Sequence, residues 1–110
     1  MAIKTMAKMS RSNVKARKWM TTNGYKNFFL FQHSRYQKDL HFQGQEFDGL
    51  ASHGDKVVFF QIKSNCRASK KTLRDYAKLS AVFDIECLWI NCPDRKGLEI
   101  NNQPAESYES

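Results

Sequence analysis

A carboxylate at Asp48, an amide at Gln61 and an amine at Lys63 are the side chains of this sequence whose types and spacing could do chemistry together. They lie in one stretch, Glu46 to Asn65 (EFDGLASHGDKVVFFQIKSN), which reads as two short strands joined by a turn at His53-Gly54-Asp55. Side chains alternate faces along a strand, so Gln61 and Lys63 project from one side and Ile62 from the other. Pairing across the turn brings Asp48 to the level of Gln61. A carboxylate, an amide oxygen and a lysine then converge at one edge of a small sheet. Such a set can hold a divalent metal and a water beside a phosphodiester.

The rest of the chain must supply the frame for that edge. From Ser10 or Ser12 to Asn23 a serine N-cap, the apolar residues Val14, Ala16, Trp19 and Met20, and a stop at Gly24 predict a helix. Residues 1–9 read as a mobile or loosely helical lead-in. Tyr25 to Gln32 (YKNFFLFQ) is aromatic and apolar, the pattern of a strand covered on both faces. His33 to Gln45 is polar and basic and reads as a loop. The two hairpin strands follow, over 46–52 and 56–64. Ser69 can cap a second helix over 70–82, with Leu73, Tyr76, Ala77 and Leu79 at helical spacing. Ile85 to Asn91 predicts another buried strand ending at Cys92-Pro93, and Gly97 to Ile100 a short edge strand. Residues 101–110 lack core-forming side chains and read as a disordered polar, acidic tail after a single domain over 1–100. The order αβββαβ predicts an α/β fold, a mixed sheet flanked by helices.

Composition narrows the class of partner. A chain of 110 residues with 41% hydrophobic content has room for one core. It contains no apolar run long enough to span a membrane, and the start, MAIKTMAKMSRS, lacks the apolar region of a signal peptide. Three cysteines, Cys66, Cys87 and Cys92, have no zinc-type spacing with His33, His41 or His53, so reduced thiols and a cytoplasmic setting are expected. Net charge is +7, and from Met1 to Lys38 nine basic residues occur with no acid. A second basic cluster (Lys63, Arg67, Lys70, Lys71, Arg74, Lys78) follows the hairpin. This arrangement suits a polyanion, most simply nucleic acid. Arg11, Lys15, Arg17, Lys18, Arg35, Lys38, Ser64, Asn65, Arg67, Lys70 and Lys71 are the candidate contacts. The alternative is a solvated, lysine-rich surface.

The element order, the hairpin acid and the Gln-x-Lys triplet, together with RYQKDL, FDGLA and VVFFQIKSN, resemble the PD-(D/E)XK nuclease superfamily over about Ser10 to Asn91. Within it they look like small phage, plasmid or archaeal nucleases of the Holliday-junction-resolvase type. The resemblance implies a restriction-endonuclease-like core and an Mg²⁺- or Mn²⁺-dependent endonuclease of branched DNA, working as a homodimer without a small-molecule cofactor or a membrane. It casts Asp48 as the first metal-binding acid, Gln61 in the place of the second, Lys63 as the motif lysine, and the Ile62 carbonyl as a further metal ligand. Phe47 stands where the nominal proline would be. Many resolvase-like members carry a glutamate on the first helix; here Asn13 lies near that place, and Asp39 or Glu46 could supply a second acid instead. Each residue also has a plainer reading. Asp48 could be a solvent-facing acid near a turn, Gln61 a surface residue, and Lys63 an edge lysine that deters aggregation. The corresponding alternative function is a non-catalytic nucleic-acid-binding protein on a degenerate nuclease scaffold; a third is a basic RNA-binding protein.

Overall fold

The computed structural model describes residues 2–30 and 40–108. In chain order its elements are α1 (Ala2–Thr22), β1 (Tyr25–Leu30), β2 (Leu40–Phe42), β3 (Gln45–Phe47), β4 (Gly49–His53), β5 (Lys56–Ser64), α2 (Lys70–Phe83), β6 (Glu86–Cys92), β7 (Glu99–Ile100) and β8 (Gln103–Pro104). A 3₁₀ turn over Ala105–Tyr108 follows. Six strands form one sheet in the order β1-β4-β5-β6-β7-β8, and β2 and β3 form a separate hairpin.

The β5 strand organises the sheet. It pairs antiparallel with β4, with Gly49 opposite Phe60 and His53 opposite Lys56 around a turn in which Gly54 takes a left-handed φ of 61°. On its other side it pairs parallel with β6, Val58 beside Glu86 and Lys63 beside Asn91. A parallel pair needs a crossover, and α2 supplies it. That helix starts at Ser69, whose hydroxyl accepts from the Thr72 N–H, and ends at Asp84 in a left-handed conformation.

Strict alternation along β5 builds two cores. Val58 and Phe60 point toward α1 and pack with Ala16, Trp19, Met20, Leu88 and Ile90, with Ile62 half-buried against them. Phe59 points the other way, into a cluster with Phe47, Tyr76, Leu79, Ile85 and Cys87. Gln61 and Lys63 therefore belong to the α2 face. The mixed sheet with helices on both faces is the architecture the pattern of the sequence predicts.

Four boundaries differ from expectation. The α1 helix begins at Ala2. Ser12 thus lies inside it and is not its cap; its hydroxyl bonds across to that of Ser64. The strand expected over 46–52 is broken at Asp48 into β3 and β4, for a reason given below. The loop expected over 33–45 holds part of a hairpin, β2–β3, turning through Gln43 and Gly44 at φ 52° and 82°, as a two-residue turn of this kind requires. It packs onto the α2 side through Phe42, whose ring lies 5.0 Å from those of Phe59 and Phe83.

The last difference is the tail. Through residue 108 it is folded rather than disordered, with β8 at Gln103–Pro104 and Ala105 8% exposed. Asparagine amides hold it. The Asn101 Oδ1 accepts from the Trp89 N–H at 2.8 Å, and the Asn102 amide both accepts from the N–H and donates to the carbonyl of Ala68. No described helix is long and apolar enough to cross a membrane. Residues 31–39 lie outside the described set, so the expectations for Arg35, Lys38, Asp39 and the end of the first strand lie outside it too.

Candidate active site

Asp48 sits in a bend at the point where the chain leaves the β2–β3 hairpin and enters the main sheet. Its N–H donates to the Phe60 carbonyl at 2.8 Å, continuing the β4–β5 ladder by one residue. Its carboxylate then accepts the Ile62 N–H at 2.7 Å. The side chain takes the place of the next main-chain acceptor, which is why the strand breaks here: Asp satisfies backbone donors locally and competes with a regular ladder. In a strand the N–H and C=O of one residue face the same side, so the Ile62 carbonyl also faces the side occupied by Asp48.

Gln61 is 2% exposed, and its Oε1 is buried with no hydrogen-bond partner among the described residues. It is therefore no surface strand residue. Its neighbour across the parallel ladder is Trp89, whose indole N–H donates to the Cys66 carbonyl at 2.8 Å. Lys63 is half-buried and follows Gln61 on the same face, beside Asn91. The three expected residues thus converge: Asp48 through its bond to Ile62, and Gln61 and Lys63 by alternation around it.

Sequence reasoning read Tyr76 only as a packing residue of α2, and the structure places it here too. Its ring lies 5.3 Å from Phe47 and 6.5 Å from Trp89. Burial holds its phenol well above the ordinary tyrosine value, and the charges of Cys87, Asp48 and Glu46 add to the effect. It stays protonated. Glu46, expected as a possible second acid, is exposed on β3 and near enough for its charge to act on Tyr76. Among the described residues no group of three or more His, Cys, Asp or Glu side chains could hold a metal ion.

The donor set still suits a hard divalent cation. Asp48, the Gln61 amide oxygen and the Ile62 carbonyl are all oxygen donors, the chemistry of Mg²⁺ or Mn²⁺. The orphaned Gln61 Oε1 is the observation that favours a cation. A buried acceptor without a donor costs about 1–3 kcal/mol, and a cation would satisfy it.

The expected nucleic-acid contacts divide. Arg11, Lys15, Arg17 and Lys18 are exposed on α1, and Lys70 and Lys71 on the first turn of α2. Ser64 is exposed but bonded to Ser12. Asn65 and Arg67 are engaged within the protein. The Asn65 Oδ1 accepts the Asp94 N–H at 2.8 Å. The Arg67 guanidinium donates twice to Glu99, at 3.0 and 2.5 Å. Buried Asn91 links this pair to the main chain, donating to Glu99 and accepting the Cys66 N–H at 2.8 Å. The bonds from Arg67 and Asn91 pull the Glu99 carboxyl down to about 2. No motif announces this cluster, because its members come from three separate loops and strand ends.

No protein-family model matches the chain, and no curated protein matches it significantly. A solved structure does. The fold is similar to that of Hjc from Archaeoglobus fulgidus, a Holliday junction resolvase from an archaeal hyperthermophile, with a TM-score of 0.54 over 88% of this chain and 77% of that one. Sequence identity is 11%, so the likeness is one of fold.

Proposed function

We propose that this protein is an endonuclease that hydrolyses phosphodiester bonds in branched DNA, of the kind found at Holliday junctions. The observation that carries the reading is the grouping of Asp48, the buried Gln61 oxygen, unpartnered among the described residues, and Lys63 at the C-terminal end of the central strand β5, on a fold shared with a Holliday junction resolvase. Asp48, Gln61 and the Ile62 carbonyl would hold Mg²⁺ or Mn²⁺, which when bound supplies a Lewis acid for the phosphate and a more acidic water. Lys63, two residues on from Gln61 and on the same face of β5, would stabilise the charge that grows on the phosphate oxygens. Tyr76, kept protonated by burial, would act there as a neutral hydrogen-bonding group and not as a base. Two copies of the chain would serve the two-fold symmetry of a four-way junction; light scattering of the purified protein reads that out directly.

The test is a gel assay on a four-way junction, a matched duplex and single-stranded DNA, in EDTA, Mg²⁺ and Mn²⁺. Paired cuts confined to the junction and dependent on metal are expected. Lys63→Ala should lower the cleavage rate by about 10²–10³-fold, the cost of removing one charge-stabilising donor, while junction affinity changes a few-fold. One observation favours a second reading. Among the described residues the site holds a single carboxylate, Asp48, and a neutral amide where two acids would bind metal more strongly. Binding without cleavage in either metal would identify a scaffold that holds branched DNA and does not cut it.

A further inference from the structure

The basic residues of α1 are not one patch. At 3.6 residues per turn, successive side chains are about 100° apart, so Arg11, Lys15 and Lys18 fall within about 60° of arc while Arg17 stands about 100° or more from each. The structure bears out that division. The Arg17 guanidinium lies 4.9 Å over the ring of Phe28, on the β1 side of the helix. The opposite flank is tied to the far strands. The Ser12 hydroxyl bonds to Ser64 at the end of β5, and the Cys92 thiol donates to the Ser12 carbonyl at 3.5 Å at the end of β6. Lys15 is close enough to Cys92 for its charge to be felt by the thiol.

We infer that Arg11, Lys15 and Lys18 form a track for the phosphate backbone of one DNA strand, which leads it along α1 to the sheet end that carries Lys63, and that Arg17 takes no part. Three arguments support it. From Arg11 to Lys18 the three cations cover seven helical steps, about 10.5 Å of helix, the axial length of about three phosphates of one strand at ~3.4 Å each. They also repel one another at i, i+3 and i, i+4 with no acid between Met1 and Lys38 to offset the cost. That spacing serves an external polyanion better than it serves the helix. Arg17, in contrast, already has an aromatic partner.

The inference rests on the DNA-binding half of the reading above and is independent of cleavage. Its test is fluorescence anisotropy of a labelled four-way junction in EDTA across a KCl series, where nothing is cut. Removing one cation that neutralises a phosphate should reduce the slope of log affinity against log salt by about 0.9. The triple variant R11Q/K15Q/K18Q should therefore lower that slope by about 2.5–3, and R17Q should leave it unchanged. Thermal unfolding of the triple variant should show an equal or higher Tm, since repulsion is relieved and the packing is untouched. An unchanged slope in the triple variant, or an equal reduction in R17Q, overturns the track while leaving the nuclease reading standing. No junction binding by the unaltered chain overturns both.

Discussion

Asp48 has two jobs that substitution can separate. Asparagine at this position keeps an oxygen for the Ile62 N–H but removes the negative charge; alanine removes both. Loss of a hydrogen bond to a charged group costs about 1.5–3 kcal/mol. Asp48→Ala should therefore lose both cleavage and stability, whereas Asp48→Asn should lose cleavage with a much smaller drop in the urea midpoint. An equal drop in both would mean that the charge, not the bond to Ile62, holds the bend. Gln61 carries the opposite prediction. Its buried oxygen has no partner in the protein alone, so Gln61→Leu should raise stability by about 1–3 kcal/mol in EDTA while abolishing cleavage. A destabilised Gln61→Leu would show that the amide is satisfied in solution and is not held ready for a ligand. That Asp48 and Gln61 face each other was legible from alternation and turn position alone. That the Asp48 carboxylate also replaces a ladder acceptor was not, because the identity of a residue does not say which backbone donor it meets.

At the scale of elements, hydrophobic period carried most of the information. Both helices, the long β5 strand and the β6 strand announce themselves by spacing, and they set the sheet order. What lacked a period was missed. The β2–β3 hairpin comprises two three-residue strands, too short for alternation to register; its signal was the Gln43-Gly44 pair between Phe42 and Phe47. The C-terminal segment is held by asparagine amides reaching main-chain groups, and polar residues in a short tail look the same whether they bind backbone or water. Ile100 is the apolar exception, fully buried. Ile100→Ala should cost about 2–5 kcal/mol, as large-to-small changes in a core do. Chemical denaturation reads that cost.

For the whole molecule, the Glu99 carboxyl makes the attachment of β7 sensitive to acid. Its folded value of about 2 lies below the ordinary glutamate value of ~4.3. The stabilisation it provides is therefore fully present above about pH 4.3 and is lost as pH falls through about 2. Urea midpoints of the native chain and Glu99→Gln should differ by a constant amount near neutrality, and the gap should close between those two pH values. A gap that persists at pH 2 would show that the amide substitution acts through packing and not through the charge. The same cluster brings together Asn91, Cys66 and Arg67 from β6 and the β5–α2 connection, so acid should loosen this end of the sheet before the α1 core.

The single parallel pair among the described residues, β5 with β6, has a consequence in time. The β4–β5 hairpin closes a short loop, and Asp48 meets Ile62 across only 14 residues; β6 can dock only after α2 has formed and crossed over. Local contacts close first and distant ones wait. The β4–β5 pair bearing Asp48 and Gln61 should thus be assembled in the folding transition state, while β7 and the asparagine-held terminus join on the native side of the barrier. Stopped-flow kinetics gives the reading: Ile100→Ala should speed unfolding and leave the folding rate nearly unchanged, whereas Val58→Ala should slow folding.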